Sequence, residues 1–157
     1  MLPPSAQLFR TFTRSVFAAQ AAVLKHGDAA NARFGQTSAR WRVLYQVGSG
    51  EVSVAEIARK LGYSRQAVQR LADALVAEGL ATYSSDEVDR RRQRIELSAE
   101  GAVLLRELEA NFAVWSERLV SLITQEELRS VVDGLERITR ILTADLGDLK
   151  REEVNRD

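Results

Sequence analysis

Between Ser53 and Gly79 the sequence reads "SVAEIARKLGYSRQAVQRLADALVAEG", two short amphipathic helices with almost no chain between them. Ser53 and Glu56 have the Ser-x-x-Glu spacing of a capping box, in which each side chain satisfies a backbone N–H left open at a helix start. Ala55, Ile57, Ala58 and Leu61 supply the buried side of this first helix, and Gly62 is a natural C-terminal stop. Ser64 then caps a second helix that turns Val68, Leu71, Leu75 and Val76 inward and closes at Gly79. Two helices of this size joined by the brief "GYS" turn have the spacing of a helix-turn-helix.

The surrounding chain is also mostly helical in pattern. Pro3 and Pro4 are the only prolines, so nearly everything after them is free to be helical. Leu8, Phe12, Val16, Ala19 and Val23 mark one face of a first helix expected to end around Lys25-His26-Gly27. A second helix starts near "QTSARW", carries Trp41, Leu44, Tyr45 and Val47 inward and stops at "GSG". Beyond the helix-turn-helix, "LATYSS" and "RQRIELS" are short strand candidates on either side of an acidic turn. Alternation there places Ile95 and Leu97 inward and Arg94 and Glu96 outward.

In the last third, Leu105, Leu108, Phe112, Trp115, Leu119 and Leu122 recur at alternating steps of three and four, a seven-residue repeat. Thr124 and Glu127 form a second capping box, and Leu128, Val131, Leu135, Ile138 and Leu142 continue the repeat in a further helix. A single small domain does not need two such helices plus an apolar first helix. The stripes are expected to be buried in a homodimer through the first and last helices, with a long intramolecular hairpin as the alternative.

Composition narrows the functions. A chain of 157 residues with 45% hydrophobic and 28% charged content suits one globular domain with helical extensions. It contains no Cys, which removes disulfides, thiolate catalysis and Cys-ligated zinc. No secretory signal and no membrane span are expected, and a cytoplasmic location fits. His26, the lone histidine, reads as a helix-end or solvent-facing residue, so no metal and no cofactor are expected. Gly-rich phosphate loops, His-x-x-Glu-His patterns and Ser nucleophile elbows do not occur, so the chain is expected not to be an enzyme.

Net charge is zero, but its distribution is uneven. Residues 1–58 hold six Lys/Arg against three Asp/Glu, residues 59–94 eight against five, and residues 95–157 eight against fourteen. A local basic field, not the total, is what guides a polyanion.

Residues 37–101, "TSARWRVLYQVGSGEVSVAEIARKLGYSRQAVQRLADALVAEGLATYSSDEVDRRRQRIELSAEG", resemble the winged helix-turn-helix core of the MarR family of bacterial transcriptional regulators. The resemblance rests on "AEIARKLGYSRQAVQRLADALVAEGL", the Asp89-x-Arg91 pair, and "LSAEG" opening the long helix, and the flanking helices match the family's dimerisation elements. It implies a mostly α fold with a small β-hairpin wing (α+β). The parts are an N-terminal helix and linker at 1–36, a winged DNA-binding domain at 37–100, and C-terminal dimerisation helices at 101–157. It further implies a homodimer on a pseudo-palindromic double-stranded DNA operator, acting as a repressor released by a small ligand.

Carried over, the recognition helix begins at Ser64, Arg65 and Gln66 and continues through Gln69 and Arg70. Arg pairs bidentately with guanine and Gln with adenine, and Ser64 with the nearby N–H groups suits a phosphate. Gln69 stands where relatives often have Ser or Thr. Arg70 clamps a phosphate or pairs with an acid, and Arg59 and Lys60 contact phosphate or are simply solvated. In the wing, Asp89 and Arg91 look like an internal pair that shapes the tip, while Arg90, Arg91 and Arg92 are candidates for DNA contact. The plain alternative for "DRRRQR" is a solvated charge run. Dimerisation falls to Leu8, Phe12, Val16, Leu128, Val131, Leu135, Ile138 and Leu142. A small aromatic or anionic ligand would meet Arg14, Phe17, Trp41, Tyr45 and Trp115, of which Trp41 and Trp115 read equally as core. The competing functions are a winged-helix module for protein assembly alone and, more remotely, a small helical enzyme.

Overall fold

The computed structural model describes residues 2–50, 52–85 and 93–154. Its elements, in chain order, are α1 (Pro4–Asn31), a single 3-10 turn (Ala32–Phe34), α2 (Ser38–Gly48), β1 (Val52–Ser53), α3 (Val54–Leu61), α4 (Arg65–Ala77), β2 (Ala81–Ser85), β3 (Gln93–Leu97), α5 (Ala99–Val120) and α6 (Gln125–Val154). The chain forms two compact units, Met1–Asn111 and Phe112–Asp157, with α5 running from the first into the second.

The first unit is a mostly helical core with a three-stranded antiparallel sheet in the order β1-β3-β2. Strands β2 and β3 pair in register from Ala81↔Leu97 to Ser85↔Gln93, and β1 adds Val52↔Ile95 and Ser53↔Arg94. The hairpin strands lie where alternation places them, with Ile95 fully buried. Two residues are too short a run to signal a strand by alternation, so β1 has no sequence signature of its own.

Val43, Leu44 and Val47 of α2, Val54, Ile57 and Ala58 of α3, and Val68, Ala72 and Leu75 of α4 make the core, closed by Ala81, Ile95, Leu105 and Leu108. The capping box of α3 is present: Ser53 Oγ accepts from Glu56 N–H at 3.3 Å, and Glu56 Oε2 accepts from Ser53 N–H at 2.9 Å. Gly62 stops α3 at φ 67°, a left-handed conformation that suits glycine.

Three expectations about inward faces and ends are corrected. Helix α1 does not end at Lys25-His26-Gly27 but continues to Asn31. Gly27 serves a close approach instead: a Cβ there would collide with Ser38 Oγ. The same crossing is tied by Asp28, whose Oδ1 accepts from Ser38 N–H at 2.6 Å, and by Ser38 Oγ, which donates to Leu24 O at 3.0 Å. Ala55 is exposed and Val54 takes its place inside, because the helix starts at Val54 and presents its first residue to the core. Tyr45 is 46% exposed, while Val43 is buried, so the inner face of α2 is rotated from the expected one.

Within the second unit, Thr124 and Glu127 form the expected capping box. Glu127 Oε2 accepts from the Thr124 backbone N–H at 2.9 Å and its hydroxyl at 2.7 Å, and Thr124 Oγ1 accepts from Glu127 N–H at 3.2 Å. These bonds lower the Glu127 carboxyl below its ordinary range, the Thr124 hydroxyl first among them. Leu122 falls beyond the end of α5 and is 81% exposed, so the seven-residue repeat of α5 stops one step early. In the single chain Leu105 and Leu108 are buried, whereas Phe112 and Leu119, later in the same repeat, are exposed.

Candidate nucleic-acid interface

Helix α4 exposes one polar face. Ser64, Arg65, Gln66 and Arg70 are exposed, and Gln69 is half-buried between them and the sheet. Steps of three and four bring Gln66, Gln69, Arg70 and Asp73 onto neighbouring turns of that face. Ser64 Oγ accepts from Ala67 N–H at 3.1 Å, so the serine acts as the N-cap. Its own hydroxyl proton is still a donor, as are the first backbone N–H groups of the helix. Among the described residues no carboxylate pairs with Arg70. Arg59 and Lys60, in the last turn of α3, are exposed as well.

Two tethers hold this helix. At its start, Arg42 of α2 reaches Tyr63 in the inter-helix turn. Arg42 Nη1 donates to Tyr63 Oη at 2.8 Å, and the guanidinium carbon lies 5.0 Å from the ring centroid. At its end, Arg40 grips Glu78 bidentately: Nη1 donates to Oε1 at 2.7 Å and Nη2 to Oε2, while Arg40 Nε donates to Gln36 Oε1 at 2.9 Å. Hydrogen bonding from Arg40 lowers the Glu78 carboxyl below its ordinary range.

A third link runs from the middle of α4 to strand β2. Gln69 Nε2 donates to Asp73 Oδ1 at 2.9 Å and to Tyr83 Oη at 2.8 Å, and Tyr83 Oη donates to Asp73 Oδ1 at 2.6 Å. Burial, then the Asp73 carboxylate, raises the Tyr83 phenol well above its ordinary value. The bonds from Tyr83 and then Gln69 lower Asp73. Sequence reasoning missed Asp73, Tyr83, Arg42 and Tyr63. The Gln69/Asp73 spacing of four was the one available signal, since the partners of Arg42 and Tyr83 lie on other elements.

On the sheet, Ser84 Oγ donates to Glu96 Oε1 at 2.7 Å across the β2–β3 pair. Asp89, Arg90, Arg91 and Arg92 lie outside the described residues. Among the ligand candidates, Arg14 and Phe17 are exposed on α1, Trp41 is half-buried and packs against the core, and Tyr45 is exposed on α2. Trp115 belongs to the second unit, half-buried, its ring 5.4 Å from that of Phe112. Among the described residues no group of three or more His, Asp or Glu could hold a metal, and no helix is long and apolar enough to cross a membrane.

A helix-turn-helix followed by a short antiparallel hairpin, flanked by long helices, is the architecture that comparison then identifies. Residues 34–92 match the sequence model of the MarR family. The chain belongs to the MarR family. Beyond the matched segment, similarity continues: the uncharacterized protein Rv2011c of Mycobacterium tuberculosis is 32% identical over 130 residues, 83% of this chain and 91% of that protein. Among solved MarR-like folds, the transcriptional repressor CouR, bound to a 23-mer DNA duplex, superposes with a TM-score of 0.77 at 23% identity. That match covers 88% of this chain and 99% of CouR. Staphylococcus aureus MarR, in complex with salicylate and kanamycin, gives 0.76 at 17% identity, covering 87% and 93%. Both share the fold with this chain. Family and fold are those of transcriptional regulators and not of enzymes.

Proposed function

We propose that this chain is a homodimeric, sequence-specific DNA-binding repressor whose recognition helix is α4. The observation that carries the reading is the exposed face of Arg65, Gln66 and Arg70 on a helix held at both ends, by Tyr63–Arg42 and by Glu78–Arg40. A helix fixed in this way can enter a major groove as a rigid body, and its amino-terminal side chains are the ones that reach base edges. The DNA-bound state of CouR, which has the same fold, supports the same use here. A module for protein assembly alone has no need of exposed arginines on that helix.

Dimerisation rests on apolar side chains left open in the single chain. Leu8 is 72% exposed, Val131 54% and Leu142 44%, with Leu128 and Leu135 also exposed and Phe12, Val16 and Ile138 half-buried. Charged helices with such stripes bury them against a second copy. Release by a small aromatic or anionic ligand completes the proposal, with Arg14, Phe17, Trp41 and Tyr45 of the first unit as its candidates. The salicylate complex of the Staphylococcus aureus protein supports that ligand class.

The test is selection of duplexes from a random pool by the purified chain, followed by mobility shift at low and high salt. A pseudo-palindromic site is expected, with binding that weakens steeply as salt rises. Salicylate is then added to the complex, and release accompanied by a change in tryptophan fluorescence is expected. Failure to enrich any sequence would overturn the DNA-binding reading.

A further inference from the structure

We infer that Tyr63 and Arg42 together hold a backbone phosphate of the DNA, the Tyr63 hydroxyl donating to a phosphate oxygen and the Arg42 guanidinium adding charge and N–H donors beside it. This contact rests on the DNA-binding use proposed for α4. It adds a pair of residues, one of them outside the helix-turn-helix, to the side chains offered by α4 and the wing.

Two arginines stand two positions apart on α2 and are used in opposite ways. Arg40 is closed: Glu78 takes both of its terminal nitrogens and Gln36 takes Nε. Arg42 is open. Its Nη1 donates to Tyr63 Oη at 2.8 Å, a neutral oxygen, and no carboxylate of the described residues pairs with it. A guanidinium does not lose its proton in a protein, so this charge is left uncompensated. The Arg42 Nε and Nη2 make no hydrogen bond among the described residues, and neither is buried. Solvent therefore reaches them. A half-buried cation with outward donors and no acid beside it is suited to an anion.

The phenol matches it. Tyr63 Oη already accepts from Arg42, and its hydroxyl proton donates to no group of the described residues. The ring packs against the core and carries the guanidinium carbon 5.0 Å from its centroid, which holds the two side chains as one unit. One phosphate can accept the phenol proton and face the guanidinium at once.

Position decides which anion this is. Tyr63 lies in the turn between α3 and α4, immediately before Ser64, the N-cap of the recognition helix. In a helix-turn-helix the first helix crosses the DNA backbone and the second enters the groove by its amino end, so the turn joining them sits over phosphates. Arg59, Lys60 and Arg65 are exposed within four residues of Tyr63 along the chain, and among the described residues none pairs with a carboxylate. These cations attract a polyanion without ordering it. The fixed phenol gives the contact its geometry.

The experiment uses the full chain and a duplex that it selects from a random pool. Each phosphate of that duplex is replaced in turn by a methylphosphonate, which removes the charge and one acceptor oxygen. Affinity is measured with wild type and with Tyr63→Phe, a variant that keeps the ring and loses only the hydroxyl. At one phosphate per half-site the methylphosphonate penalty should be about tenfold smaller in the variant than in wild type. At every other phosphate the two proteins should respond alike. Tyr63→Phe should select the same sequence and keep the salt slope, because a neutral donor displaces no counterion. Arg42→Gln should lower the slope of log affinity against log salt by about one unit per subunit. If Arg42→Gln fails to fold by circular dichroism, the Tyr63→Phe profile decides alone. Identical methylphosphonate profiles, a slope unchanged in folded Arg42→Gln, or an altered sequence choice in Tyr63→Phe would each overturn the inference while leaving DNA binding intact. If wild type enriches no sequence, both readings fall together.

Discussion

The α-carbon of Gly101 lies directly against the carbonyl of Leu80, so closely that a Cβ at position 101 would collide with the Leu80 oxygen and carbonyl carbon. Ser98 reinforces the joint: its N–H donates to Leu80 O at 3.1 Å, and its hydroxyl donates to Gly79 O at 2.6 Å while accepting from Gly101 N–H at 2.9 Å. The end of α4 is thereby fixed to the start of α5. In an open helix, Gly→Ala stabilises by about 1 kcal/mol. Here the obstacle is backbone, which cannot rotate away, so Gly101→Ala is expected to destabilise by about 1–3 kcal/mol. Urea denaturation followed by circular dichroism checks this, and a variant as stable as wild type would refute the close approach.

The Arg40–Glu78 pair gives a pH-dependent prediction. Arg40 holds the folded-state carboxyl of Glu78 below its ordinary value of 4.5. A depressed carboxyl contributes stability above its unfolded-state pKa and loses it as pH falls through the lowered folded-state value. Glu78 is half-exposed, which limits the pair to about 1 kcal/mol or less after screening. Glu78→Gln should therefore be slightly less stable than wild type at neutral pH, and the gap should close below pH 4.5. A gap that widens on acidification would contradict the sign.

Much of this architecture was legible because it is local. The capping boxes at Ser53/Glu56 and Thr124/Glu127, the stop at Gly62 and the burial of Val68 and Leu75 follow from spacing within one or two turns. The errors came where a residue answers to a distant partner. Gly27 has the composition of a helix end but is glycine because Ser38 packs on it, and Tyr45 has the apolar bulk of a core residue yet faces out. Arg65, Gln66 and Arg70, which the sequence offers for DNA contact, lie exposed on α4. The hydrogen bond from Gln69 to Tyr83 is not legible in the sequence, since Tyr83 stands on a different element.

Replacing Leu135 and Ile138 together by Asp places two carboxylates in the α6 stripe. These side chains make up part of the open apolar surface of the single chain. Burying an unpaired charge in an interface costs several kcal/mol, so the double variant is expected to be monomeric or unfolded in sedimentation velocity. A well-folded variant that still sediments as a dimer would remove α6 from the interface.

Arg65→Ala and Gln66→Ala test base reading at the start of α4. Each should cost roughly 1–3 kcal/mol at one position per half-site and relax selectivity there. Half-sites should be separated by about one helical turn, the spacing a two-fold protein requires. Isothermal titration on full and half sites measures both. Equal affinity for an isolated half-site would contradict the two-fold geometry.

The wing arginines should act on affinity more than on sequence choice. Arg90 and Arg92 belong to the segment between β2 and β3, whose paired ends are Ser85 and Gln93. A cationic side chain on phosphate releases counterions whichever bases lie beneath it, so each lost contact should lower the slope of log affinity against log salt by about one unit. A dimer carries two wings, so Arg90→Ala or Arg92→Ala should lower it by up to about two units. If Arg92 enters the minor groove, the loss should be larger on A·T-rich flanks, where the groove is narrow and its potential more negative. Salt titrations of wild type and both variants on the two flank compositions separate these outcomes. Unchanged affinity and slope in both variants, with circular dichroism intact, would identify "DRRRQR" as a solvated charge run.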